Sequence, residues 1–150
     1  MTEEQIMTDA ASNEITPGQR FSKEMTLTPE SVRTFAEAAG DLNPVHHDAD
    51  YAATTRYKRI IASGTQTSSL MMGLTATYFS QRGSTVGLGF EMRFRLPIYA
   101  NETIYIDWEI VAVTYKESLG GDIVEIEGTL KNATGEIAVA ARASLLVTGA

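Results

Sequence analysis

The 150-residue sequence predicts an α+β fold in which an antiparallel sheet curves around one long, buried helix. Two patterns predict it. Val86, Leu88, Phe90, Met92, Phe94 and Leu96 alternate with Gly87, Gly89, Glu91, Arg93 and Arg95, the period of two that puts every second side chain on one face of a strand. From Gly64 onward, Leu70, Met71, Met72, Leu74, Ala76, Tyr78 and Phe79 lie nearly all round a helix, and a helix apolar on most faces is a buried one.

The elements follow in order. Residues 1–15 are polar, small and acidic and read as a flexible tail, and Thr16-Pro17-Gly18 marks the start of a single ordered domain over 16–150. Phe21, Met25 and Leu27 give rough alternation, so a strand is expected from Arg20. Thr28-Pro29-Glu30 supplies an N-cap, a proline at the first helical position and an acidic first turn. Val32, Phe35, Ala36 and Ala39 continue at helical spacing to Gly40, which sits where a left-handed cap falls, so a helix spans about 29–39. Pro44 disfavours helix at Asn43 and forces a turn. Asp48 then caps a short helix over roughly 49–56.

After the long helix, which Arg82-Gly83 ends, the chain is β by pattern. Pro97 ends or bulges the first strand. Ile104, Ile106, Trp108 and Ile110 alternate again, and strands near 122–131 and 136–148 follow, with turns at Gly120-Gly121 and Asn132 to Gly135. Consecutive strands joined by short turns predict an antiparallel meander. Its apolar face needs cover, and the helix over 65–80 is the one long apolar helix available. That arrangement leaves edge strands and an outer sheet face for a second subunit.

Composition narrows the function. Hydrophobic residues make up 43% and charged residues 21%, as in ordinary globular proteins. A net charge of −7 argues against a nucleic-acid protein, which needs a basic face. With no cysteine, disulfides and thiolate metal sites are excluded, and two histidines cannot make a three-histidine metal site. The N-terminal MTEEQIMTDAASNE lacks the apolar core of a signal peptide, and no stretch approaches the roughly 18 apolar residues of a membrane span, so a cytoplasmic protein without membrane partners is expected.

Three features point to chemistry. Asp41 and His46 lie five apart across a proline turn, where a carboxylate and an imidazole can share one water and exchange protons with it. Asn43 between them can orient either group or the water, although Asp-x-Asn-Pro is also common turn chemistry. Gly64 opens the buried helix, either as a tight turn or as a backbone N–H aimed at a developing oxyanion. The helix start is rich in hydroxyls at Thr65, Thr67, Ser68 and Ser69. Ser69 either bonds its own backbone or faces a ligand. His47 reads as a solvent-facing neighbour.

The run Phe35-Ala36-Glu37-Ala38-Ala39-Gly40-Asp41-Leu42-Asn43-Pro44-Val45-His46, followed by Tyr51-Ala52, resembles the MaoC-like dehydratases, also called R-specific enoyl-CoA hydratases. Their signature is an aromatic, then Gly-Asp-x-Asn-Pro-aliphatic-His, and it stands here without a gap; the likeness covers about residues 17–148. The resemblance implies a hotdog fold, a homodimer or higher homo-oligomer with its site near the subunit interface, and an acyl-CoA thioester substrate in fatty-acid metabolism. It implies a lyase that reversibly hydrates a trans-2-enoyl-CoA to an R-3-hydroxyacyl-CoA. Coenzyme A enters only as part of the substrate, and no metal or redox cofactor is needed. Carried over by position, Asp41 and His46 are the catalytic pair, Asn43 and Ser69 support them, and the Gly64 amide binds the thioester oxygen. Many members carry His-Gly or Pro-Gly before the helix and then Met or Leu; here the run is Ala62-Ser63-Gly64-Thr65-Gln66-Thr67, which leaves the acyl group open.

Two other readings stand beside this one. A thioesterase on the same fold often carries a carboxylate on the central helix, and Thr65 to Gln81 contains no Asp or Glu. A non-catalytic acyl-CoA-binding subunit is the other, though an intact Asp-x-Asn-Pro-x-His counts against it. The phosphates of coenzyme A call for a basic contact. Arg56, Lys58 and Arg59 form the densest basic cluster and Arg93 and Arg95 share a strand, but the sequence does not choose among them.

Overall fold

A computed structural model describes residues 6–8 and 13–149. Six strands form one antiparallel sheet in the order β1-β2-β4-β5-β6-β3. The strands are β1 (Ile6–Thr8), β2 (Arg20–Thr26), β3 (Ser84–Phe94), β4 (Thr103–Lys116), β5 (Gly121–Lys131) and β6 (Ile137–Thr148), and the helices are α1 (Pro29–Ala38), α2 (Ala49–Thr54) and α3 (Gly64–Ser80). Among the described residues no helix is long and apolar enough to cross a membrane.

The capping chemistry holds. Thr28 Oγ1 accepts from Ser31 N–H at 3.1 Å at the start of α1, and Asp48 Oδ1 accepts from Asp50 and Tyr51 N–H at 2.9 and 3.1 Å at the start of α2. Of the expected tail, residues 6–8 pair with β2 as a short edge strand. An edge leaves a row of backbone donors and acceptors that such a segment can satisfy. Residues 1–5 and 9–12 lie outside the described residues.

The inner sheet face and α3 make the core. Ile104, Ile106, Trp108 and Ile110 of β4 are fully buried, as their alternation predicts. Phe21 stacks on Tyr78 at 4.0 Å and meets Phe79 edge-on at 5.5 Å. Trp108 Nε1 donates to the Met71 carbonyl at 3.1 Å, pinning the middle of α3 to β4. The indole ring lies over Gly128, its partner across the β4–β5 ladder; a Cβ there would stand 2.4 Å from Trp108 Cε3.

Three expectations change. The meander is confined to β4-β5-β6, because β3 pairs with β6 rather than β4. After β3, Pro97 cannot extend the ladder, and the chain crosses to the far side of the sheet, where Asn101 N–H donates to Leu27 O at 2.6 Å and Leu27 N–H to Glu102 O at 3.1 Å. Secondly, β3 does not bury one continuous apolar face. A register shift between Gly87 and Gly89 turns Val86 and Leu88 outward, 56% and 52% exposed, while Phe90 and Met92 stay half-buried on the inner side. Thirdly, α3 is buried on one side only. Met71, Leu74, Tyr78 and Phe79 pack inward, whereas Ser69, Met72, Gly73 and Ala76 are exposed.

The Trp108–Gly128 contact yields a stability prediction. Gly128→Ala should destabilise the fold by about 2–3 kcal/mol, since the added methyl must displace a buried indole. Urea denaturation measures this, and an unchanged midpoint would show that the indole has room to move.

Candidate active site

The turn after α1 is built from local bonds. Gly40 adopts φ +75°, the left-handed conformation that suits glycine, and Asp41 N–H returns to Ala36 O at 2.8 Å. Asp41 Oδ1 accepts from Asn43 N–H at 3.1 Å. Asn43 Oδ1 in turn accepts from Val45 N–H at 3.3 Å, capping a 3-10 turn over Pro44–His46. The Asn43 side chain thus shapes the turn, and its backbone orients the Asp41 carboxylate.

This brings the expected pair together. His46 Nε2 lies 3.3 Å from Asp41 Oδ2, with the imidazole side chain 8% and the carboxylate 29% exposed. On its far side, His46 Nδ1 sits 2.7 Å from Ile61 O. A carbonyl only accepts, so Nδ1 carries the hydrogen and Nε2 is the nitrogen free to exchange a proton. A neutral Nε2 lone pair and a carboxylate oxygen cannot bond each other. The contact therefore requires one shared proton, or a water donating to both.

His47 is not the solvent-facing neighbour the sequence suggested. It is half-buried, and its Nε2 donates to the Asp41 carbonyl at 2.7 Å, bracing the turn from behind. The only signal for this was its adjacency to His46.

Ile61 links the pair to α3. Its N–H donates to Val45 O at 3.4 Å, and the next residue, Ala62, donates to Ile98 O at 2.8 Å. Three residues beyond Ile61, Gly64 begins α3, with Ser63 as N-cap accepting from Gln66 N–H at 3.1 Å. The Gly64 and Thr65 amides have no acceptor among the described residues, as the first turn of a helix leaves them, and Gly64 is exposed. Gly64 has no left-handed φ. Its lack of a side chain matters instead because a Cβ would press to 3.2 Å from the Phe94 ring.

A cavity of about 340 Å³ opens at this helix start, lined by Gly64 and Thr67, by Ile61 and Ala62, and by Phe94 to Ile98 of the crossover. Asp41 and His46 are not in its lining; they adjoin it through Ile61. A larger hollow of about 590 Å³ on the outer sheet face is lined largely by charged groups, including the paired Arg20 and Asp107 and the basic candidates Arg93 and Arg95, and holds none of Asp41, Asn43, His46, Gly64 and Ser69. Ser69 makes no hydrogen bond to Asp41 or His46 among the described residues and sits on the exposed side of α3. Sequence reasoning passed over Gln66, which is 3% exposed and whose Oε1 finds no partner among the described residues. A polar residue at that position in the buried stripe was the available signal.

The chain is similar to known proteins in sequence and in fold. Residues 10–133 match the family model described as MaoC like domain. The chain is 33% identical over 104 residues to an (R)-specific enoyl-CoA hydratase of Aeromonas caviae, covering 69% of this chain and 75% of that protein. It is 29% identical over 120 residues to 3-hydroxyacyl-thioester dehydratase Z of Mycobacterium tuberculosis, covering 73% and 78%. The structure of an R-hydratase from Pseudomonas aeruginosa in unliganded form superposes with a TM-score of 0.82 at 28% identity, over 91% of this chain and 84% of the other. The helix wrapped by its sheet is accordingly the hotdog fold, and the chain belongs to the MaoC-like domain family.

Proposed function

We propose that the protein reversibly hydrates a trans-2-enoyl thioester of coenzyme A to the R-3-hydroxyacyl thioester. The observation that carries this is the 3.3 Å approach of His46 Nε2 to Asp41 Oδ2, with Nδ1 tied to Ile61 just ahead of an exposed, unpaired Gly64 amide. Two relatives bear names for this class of reaction, one a hydratase and one a dehydratase.

In the proposed cycle the thioester carbonyl accepts from Gly64 N–H at the positive end of α3. A water held by Asp41 and His46 attacks Cβ and gives up a proton to the pair. The double-bond electrons shift towards Cα and the carbonyl oxygen, and the enolate is stabilised by the Gly64 amide; such a donor is typically worth about 3–4 kcal/mol. A proton from the pair then reaches Cα. Because the two groups are 3.3 Å apart, both additions come from one face of the double bond. Acid and base suffice for these steps, so coenzyme A takes part only as the carrier of the acyl group.

We further propose a homodimer. The free edge of β3, with exposed Val86 and Leu88, and the exposed side of α3 at Met72, Gly73 and Ala76 are apolar surfaces that a second copy covers. Light scattering of the purified chain should give twice the 16.3 kDa monomer mass; a monomer at micromolar concentration would refute this.

Asp41→Asn and His46→Gln should each lower hydration of the best enoyl-CoA by about 10²-fold or more with the fold retained. Loss of enoyl absorbance, followed alongside a thiol assay, measures it. Near-parental turnover by both variants, or release of free coenzyme A, would contradict the reading.

A further inference from the structure

The cavity beside Gly64 divides sharply by burial. Its floor is apolar and closed, with Ile61, Ala62, Ile98 and Val139 all between 1% and 9% exposed. Its rim is open and includes two exposed arginines, Arg56 and Arg95, of which Arg95 also borders the hollow on the outer sheet face. Arg56 donates to Tyr57 Oη at 2.8 Å and its guanidinium carbon lies 5.0 Å from that ring's centroid. The hydrogen bond raises its pKa further above the ordinary arginine value. Tyr57 itself packs against Val45, Ala52 and Ile61, so the pose of Arg56 is set by the same small core that holds the His46 turn. The Arg95 backbone N–H donates to Ala138 O at 2.7 Å, while its side chain makes no hydrogen bond or ion pair among the described residues.

The other basic candidates are engaged elsewhere or lie outside the cavity. Arg93 and Arg142 pair with Glu91, and Arg20 pairs with Asp107 and Glu109. Arg59 stacks on Tyr99 with its guanidinium carbon 3.9 Å from the centroid. Lys58, at φ +67°, is not among the lining residues.

We propose that Arg56 and Arg95 form the anion-binding rim of this cavity and hold a phosphate of the substrate's carrier. The inference rests on the hydratase reading of the Gly64 site. A guanidinium meets a phosphate with paired N–H donors, a fit an ammonium does not offer. The floor, which contains no cation, takes the apolar part of the thioester, so the anion stays at the solvent-facing rim. That placement selects the carrier's phosphate over a carboxylate on the acyl group. The same phosphate chemistry comes from coenzyme A or from a phosphopantetheine arm on a carrier protein.

The test compares but-2-enoyl thioesters of coenzyme A, 4′-phosphopantetheine and pantetheine, which differ in their phosphates. The Arg56→Gln, Arg95→Gln double variant should raise KM about tenfold or more for the coenzyme A thioester, and the parent's preference for it over the pantetheine thioester should collapse. Arg142→Gln, on the outer sheet face, serves as the control and should behave as the parent does. A phosphopantetheine thioester used as well as the coenzyme A thioester places the contact on the phosphate shared with a carrier protein; an intermediate KM places it also on the nucleotide phosphates. Equal losses on phosphate-free and phosphate-bearing thioesters, or no loss on either, would overturn the assignment. Should the parent turn over none of these thioesters, the hydratase reading fails separately. Calorimetric titration of coenzyme A into parent and double variant then decides: tenfold weaker binding by the variant supports the rim, and equal binding overturns it.

Discussion

The site depends on one backbone segment, residues 60–62. Ile61 gives its N–H to Val45 and takes the His46 Nδ1 hydrogen at its carbonyl, while Ala62 and Ala100 tie the same stretch to the crossover after β3 through bonds of 2.8 and 3.1 Å. Each such bond contributes only about 1 kcal/mol net. Their importance is geometric. They hold the turn that carries Asp41 and His46, the wall of the cavity and the first residue of α3 in one rigid relation. Val45, Ala52 and Ile61 form a small core of their own beneath them, separate from the main core under the sheet. A change in this segment therefore moves the Asp41 carboxylate, the His46 imidazole and the Gly64 amide together.

The sheet supplies the second constraint. With β3 on the far edge beside β6, the chain must cross to reach β4, and the first part of that crossing, Arg95 to Ile98, forms one side of the cavity. Phe94 closes against Gly64, where the absence of a Cβ allows ring and helix to approach. At the middle of α3, the Trp108 bond to the Met71 carbonyl fixes the helix axially. The helix start is thus positioned by packing along its whole length, which gives the Gly64 amide a defined place relative to the turn.

Local chemistry was legible in the sequence and distant chemistry was not. Thr28-Pro29, Gly40, Asn43-Pro44 and Asp48 act within a few residues, so the helix starts and the turn that carries Asp41 and His46 could be read directly. His46 could be singled out, but its anchor at Ile61 lies 15 residues away, and no periodicity reports such a bond. The alternation of β3 was real yet misleading, because the shift between Gly87 and Gly89 exchanges faces part-way along the strand. Gly128 gave no signal, since its role exists only once Trp108 on the neighbouring strand lies across it. Helix α3 looked buried all round because its exposed residues, Met72 and Ala76 among them, are apolar as well.

The central claim is that a carboxylate, an imidazole and a helix-start amide act on one acyl group. A crystal structure of the Asp41→Asn protein bound to an R-3-hydroxyacyl-CoA tests it most directly. The account predicts the 3-hydroxyl oxygen within about 3 Å of both residue 41 and His46 Nε2, and the thioester carbonyl on Gly64 N–H. A thioester bound with its hydroxyl away from that pair, or its carbonyl away from the start of α3, would contradict it.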